Sequence, residues 1–185
     1  LEDIPMFLSM PEAVIFYPSD AVSTEHLVKA MAIHKGISYL RTTRDKTPVI
    51  YENSETFPAG GLKVLRQGDR DRVLVIAAGI TVHEALKAYE IAKERGIPVR
   101  IIDLYSIQPF DRESLVRHAK ACQDKVIVVE DHYCHAIGSV LSTALRDVCC
   151  LCIREIPRSG KAEELLEKYG IDASAIVSTV EKMCA

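Results

Sequence analysis

The hydrophobic pattern changes period several times along the chain, and each change marks an element. Residues 14–17, "VIFY", form a short apolar run stopped by Pro18, which reads as a buried strand. Ser19 or Asp20, and then Ser23, offer N-caps, and 24–34 has helical composition up to a stop at His34-Lys35-Gly36. Ile37, Tyr39 and Leu40 suit a second strand. The first step is therefore strand, helix, strand, with a crossover long enough for parallel pairing. Residues 47–61, "TPVIYENSETFPAGG", hold prolines and glycines among few aliphatics and read as a surface linker, with a domain boundary near 57–61.

Beyond the linker the alternation is regular. "LKVLR" (62–66) is a short strand turned by Gln67-Gly68-Asp69, and "RVLVIAA" (72–78) is the near-continuous apolar run of a strand covered on both faces. Gly79 permits a turn, and Thr81 caps a helix to about Arg95. Its Val82, Ala85, Leu86, Tyr89 and Ala92 share one face. "VRIIDL" (99–104), a helix capped by Asp111, "KVIVVED" (125–131), a helix over 136–147 and "CCLCIRE" (149–155) follow. Two helical segments close the chain, near 161–169 and 173–184. Alternation of this kind predicts an α/β fold: a three-layer α/β/α sandwich with a mostly parallel sheet.

Composition narrows the functional classes. Hydrophobic residues make up 48% of the chain, enough for a packed core. The net charge of −3 gives no push toward nucleic acid or an anionic membrane, so any basic site must be local. No apolar run approaches the ~20 residues that a membrane helix needs. The start, "LEDIPMFLSMPEAVIFY", lacks the basic region of a signal peptide. It also lacks an initiator Met and begins in mid-pattern, so a piece of a longer protein is expected. The 6 cysteines, at 122, 134, 149, 150, 152 and 184, read as reduced, buried small hydrophobes, which suits a cytoplasmic protein.

Reactive motifs are sparse. "AAGITVHEA" (77–85) has one glycine between strand and helix and is neither G-x-G-x-x-G nor a P-loop. "EDHYCH" (130–135) lies at the carboxyl edge of a strand, where open α/β sheets place their sites. His132, Cys134 and His135 could ligate a metal there, but acids at a strand end commonly cap the next helix, and without a second ligand cluster no metal site is assigned. Ser106, Ser139 and Ser142 lack the G-x-S-x-G turn, and Cys134 beside His132 and His135 is sequence proximity alone, so no catalytic residue is assigned. In "PRSGK" (157–161), Arg158 and Lys161 could meet an anion or another subunit, and a solvated turn is the preferred reading. Arg41 and Arg44 follow a parallel strand. A guanidinium offers a planar fork suited to phosphate, so an anion anchor stands beside the commoner reading of surface arginines.

"MFLSMPEAVIFYPSDAVSTE" (6–25), "RTTR" (41–44), "VIAAGITVHEAL" (75–86), "LYSIQPFDRESL" (104–115), "VVEDHY" (128–133) and "PRSGKAEELLEKYGID" (157–172) agree in order and spacing with one family. Over nearly its whole length the chain resembles the transketolases, particularly the animal-type branch. The resemblance implies that residues 1–58 are the C-terminal part of the thiamine-diphosphate pyrimidine-binding domain. Residues 59–185 would be the transketolase C-terminal domain, with one antiparallel strand at 62–66.

It also implies the activity of the complete enzyme, a homodimer of the pentose phosphate pathway. Thiamine diphosphate, held with a divalent cation (magnesium or calcium), serves there to move a two-carbon ketol unit from a ketose phosphate to an aldose phosphate. Arg44 matches the family arginine that ends the R-T-x-R element and contacts the sugar phosphate, with Arg41 as structural support. The other parts of that active site would lie before Leu1. No cofactor is therefore expected on this chain alone, which would be inactive and serve folding and dimerisation. Deoxyxylulose-phosphate synthases and the β-subunits of 2-oxoacid dehydrogenases share the terminal domain, but "FYPSD", "RTTR" and "PRSGK" fit transketolase better. One departure is "CHAIG" (134–138), a residue shorter than the family loop and with only Gly138 where a glycine pair is usual, which predicts a different loop course.

Overall fold

The structure is a computed structural model that describes residues 1–44 and 46–185. In chain order its first segment holds α1 (Asp3–Leu8), β1 (Val14–Phe16), α2 (Ala21–Ile33) and β2 (Ser38–Leu40). After the linker come β3 (Lys63–Arg66), β4 (Val73–Ala77), α3 (Thr81–Glu94), β5 (Val99–Asp103), β6 (Ser106–Gln108) and α4 (Arg112–Ala121). Then β7 (Val126–Tyr133), α5 (Ile137–Ser142), β8 (Val148–Ile153), α6 (Ala162–Lys168) and α7 (Ala173–Cys184) complete the chain.

The strands form two sheets, ordered β2-β1-β6 and β3-β5-β4-β7-β8. β1 and β2 are parallel, with Val14 opposite Ser38 and Phe16 opposite Leu40. In the larger sheet β3 runs antiparallel to β5, and every other pairing is parallel. Strand alternation divides the core between the two faces of this sheet. Leu74 and Ile76 of β4 face a cluster with Leu115 and Ala119 of α4 and Ile137 of α5. Val73, Val75 and Ala77 face the opposite cluster, made with α3 and α7. Ile4, Ala13, Ile15 and Tyr17 belong to the first cluster, so the opening segment packs directly on the larger sheet.

Local chemistry explains the boundaries. Asp20 begins α2 with a capping box: its carboxylate accepts from Ser23 N at 2.8 Å, and Ser23 Oγ accepts from Asp20 N at 3.1 Å. Its second oxygen accepts from Ile50 N and Tyr51 N, so the same side chain fastens the linker. At Gly79, φ is +58° and an added Cβ would lie 2.1 Å from the Tyr17 ring, so the turn after β4 requires glycine.

Four details depart from the sequence reading. α1 and β6 were not expected. Thr81 is the first helical residue and not the cap. Its hydroxyl lies 2.9 Å from the carbonyls of both Ala78 and Val129, tying the turn to β7. α5 stops at Ser142 and does not run to 147: Ser139, Ser142 and Thr143 bond back to carbonyls a turn earlier, and Ala144 N closes a tight turn on Leu141 O. Among the described residues no helix is long and apolar enough to cross a membrane.

Candidate functional site

β2 ends where its register with β1 ends. Arg41 N still donates to Phe16 O at 3.0 Å, and the chain then leaves the sheet. The departing residues form one wall of a cleft of about 360 Å³, which Arg41, Arg44 and Lys46 line from this side and His83, Glu84 and Asp131 from the other. A neighbouring cleft shares Thr42, Thr43 and Lys46 and reaches Ser19 and Asp20.

The two arginines of "RTTR" are placed differently. Arg41 Nη1 donates to Asp3 Oδ2 at 2.6 Å and Nη2 to Asp131 Oδ2 at 3.4 Å, while its guanidinium carbon stands 5.4 Å over the Tyr17 ring. Tyr17 OH donates to Asp131 Oδ2 at 2.9 Å, Tyr39 OH to Asp3 Oδ2 at 2.6 Å, and His132 Nε2 lies 3.2 Å from Asp3 Oδ1. This network joins α1, β1, β2 and β7. Burial pushes the Asp3 and Asp131 carboxyls upward, but the hydrogen bonds and positive charge around them prevail and hold both below the usual carboxylate range. Arg41 is thereby committed to structure, as expected. Arg44 is exposed at the cleft and meets no carboxylate within ion-pair distance among the described residues. An exposed guanidinium beside threonines and a lysine can receive a dianionic phosphate.

The "EDHYCH" segment separates in the same way. Glu130 is fully buried and accepts from Ile137 N at 2.7 Å and Gly138 N at 3.2 Å, so it caps the next helix, and burial raises its carboxyl to about 7. His132 is sealed inside the network, whereas His135 stacks on Tyr133, so the two imidazoles do not converge. Cys134 instead approaches β8: ligand atoms of Glu130, Cys134 and Cys150 lie within 4.8 Å of one another.

The cysteines are free, but not uniformly buried as expected. Cys122 and Cys152 are buried, Cys149, Cys150 and Cys184 are partly so, and Cys134 is exposed. Sequence reasoning missed Cys150 because its approach needs β7 and β8 to be adjacent, with Val128 opposite Cys150. Cys149 and Cys152 do stand at C-x-x-C spacing, but strand alternation turns them to opposite faces.

The remaining candidates are structural. Ser106 Oγ donates to Pro109 O and accepts from Gly60 N. The Arg158 amide donates to Tyr169 OH, and Lys161 pairs loosely with Glu164 at 3.6 Å.

A mostly parallel sheet between helical layers, with a cationic cleft at the end of an adjoining parallel strand, defines an α/β domain that can take an anionic ligand. The family "Transketolase, C-terminal domain" matches residues 60–176, and the chain belongs to that family. It is 46% identical over 190 residues to transketolase-like protein 2 of Mus musculus, covering 98% of this chain and 30% of that protein. It is 42% identical over 186 residues to the transketolase of Homo sapiens, covering 97% of this chain and 30% of that protein. Among solved structures, a split gene transketolase described as an inactive beta4 tetramer superposes with a TM-score of 0.84 at 31% identity. That match covers 98% of this chain and 60% of the other. The chain thus spans 30% of the length of these two curated relatives.

Proposed function

We propose that this chain is the C-terminal portion of a transketolase, with residues 1–58 ending a pyrimidine-binding domain and 59–185 forming the C-terminal domain. The complete enzyme moves a two-carbon ketol unit from a ketose phosphate to an aldose phosphate. Arg44 grips the substrate phosphate. The observation that carries this reading is the division within "RTTR": Arg41 is held by Asp3 and Asp131, while Arg44 stands exposed in the cleft beside Lys46.

Thiamine diphosphate, when bound, supplies the carbanion that makes and breaks the carbon–carbon bond. The described residues of this chain do not fit the divalent cation that accompanies it. A magnesium or calcium ion takes oxygen ligands, whereas the one clustered ligand set among the described residues, Glu130, Cys134 and Cys150, is dominated by thiols. The work proposed for this chain is therefore to bind and orient substrate. A grip on the remote phosphate supplies binding energy away from the reacting carbon and fixes the sugar's direction in the site.

By itself the chain serves folding and subunit docking and has no turnover. This reading is supported by its similarity to a split gene transketolase that is described as inactive in its beta4 form. In the complete protein, Arg44→Ala raises KM for sugar phosphates at least about tenfold, the equivalent of one charge-assisted hydrogen bond, and leaves the melting temperature in place. Unchanged kinetics at limiting sugar phosphate contradict the assignment.

A further inference from the structure

A second constellation lies away from the Arg44 cleft and has no part in the proposed sugar-phosphate chemistry. After Tyr133 the short loop turns back, with Ala136 N donating to Tyr133 O at 3.0 Å. The turn sets the Cys134 thiol against β8. Cys150 and Cys152 alternate onto one face of that strand, and the Cys150 Sγ lies within 4.8 Å of the Cys134 Sγ. Beneath them the Glu130 carboxylate is fully buried. Each of its oxygens accepts one backbone N–H, which leaves a further lone pair on each. Gly138 makes room for this approach: a Cβ there would lie 2.6 Å from Cys150 Sγ and 3.1 Å from Glu130 Oε1.

We propose that Glu130, Cys134 and Cys150 form a binding site for a thiophilic divalent cation of the zinc class. Their ligand atoms already lie within 4.8 Å of one another. Around a tetrahedral zinc with bonds of about 2.0–2.3 Å, ligand atoms stand roughly 3.3–3.8 Å apart, so small side-chain rotations close the set. Two thiolates and a carboxylate suit zinc or cobalt and are a poor match for magnesium or calcium. The cation enters from solvent, because Cys134 is exposed and Cys150 lines a surface groove of about 370 Å³. Cys152 stands outside the set of ligand atoms within 4.8 Å, so a water from the groove completes the tetrahedron. The cation also gives the buried carboxylate a counter-charge and ties the β7–α5 loop to β8. No redox step is involved: two thiols each release a proton, and the metal takes the two thiolates.

The test is a titration of cobalt(II) into the reduced, metal-free 185-residue protein, followed by absorption spectroscopy. One cobalt per chain is expected, with near-ultraviolet thiolate-to-cobalt charge transfer and the visible bands of tetrahedral geometry, all bleached by zinc. Cys134→Ser and Cys150→Ser each weaken binding at least about tenfold, while Cys184→Ser, outside the cluster, leaves it unchanged. Cys134 is an exposed loop residue, so Cys134→Ser keeps the test valid if Cys150→Ser fails to fold. Zinc also raises the melting temperature of the parent and not of Cys134→Ser. The absence of a thiolate band in excess cobalt, octahedral thiolate-free binding, or a band that survives Cys134→Ser overturns the proposal.

Discussion

Two buried acids show how neighbours decide what a carboxylate does. Asp20 accepts from the backbone amides of Ser23, Ile50 and Tyr51 and from the Ser23 hydroxyl, whereas Asp103, at 0% exposure, meets among the described residues only the hydroxyls of Ser19 at 2.6 Å and Tyr51 at 2.7 Å. Burial raises the Asp103 carboxyl from 3.8 to about 7. The two hydroxyls and the Lys63 charge pull it back, and the Asp20 charge adds to the rise. The folded state therefore holds a proton that the unfolded chain has released. Stability contributed by this group is full below about pH 4, declines as pH rises and levels off above about 7. Asp103→Asn should flatten this decline by up to about 3 kcal/mol, read from urea unfolding at pH 5 and pH 8. An unchanged slope would contradict the assignment. None of this was legible in the sequence, where Asp103 is one acid at the end of an apolar strand. Its partners lie 84 and 52 residues away.

At the scale of elements, legibility followed length and autonomy. β4, β5 and β7 were readable because long apolar runs announce strands buried on both faces, and α2 because cap residues precede a stretch of helical composition that stops at Gly36, although which of Ser19, Asp20 and Ser23 caps it was left open. α1 and β6 were not. Each is 6 residues or fewer and exists through distant partners: β6 pairs with β1, and Gln108 Nε2 donates to Met10 O and Ala13 O. The overlong reading of α5 had a local cause, the serines and threonine that turn their hydroxyls onto the helix carbonyls. Asp20 is the element-scale test, because one side chain both starts α2 and holds Ile50 and Tyr51. Asp20→Ala should cost about 2–4 kcal/mol by urea unfolding, more than the ~1 kcal/mol of a typical cap. A loss confined to the ordinary cap value would mean that the linker bonds add nothing.

For the whole molecule, the opening segment is a layer of the core. Ile4, Ala13, Ile15 and Tyr17 share one buried cluster with Leu74, Ile76 and Ile102 of the larger sheet, and Ser19 and Tyr51 bond to Asp103 on β5. Residues 59–185 expressed alone should therefore bind a hydrophobic dye and aggregate, while the full chain stays dispersed. A truncated chain that is monomeric and dye-silent would show the two parts to be independent. The candidate site shows the same dependence on assembly. "RTTR" was readable as an anion candidate and the resemblance gave Arg41 a supporting role, but the groups that hold Arg41 were not legible: Asp3 and Asp131 approach from α1 and β7, and those approaches exist only in the fold.

The most direct measurement takes the complete transketolase proposed above and compares an aldose phosphate with the same sugar without phosphate, as a ratio of kcat/KM, in the parent and in Arg44→Ala. If the Arg44 guanidinium holds the phosphate, the ratio falls at least about tenfold, and almost all of the fall comes from the phosphorylated sugar. If both sugars lose activity equally, or neither does, Arg44 is not the phosphate anchor.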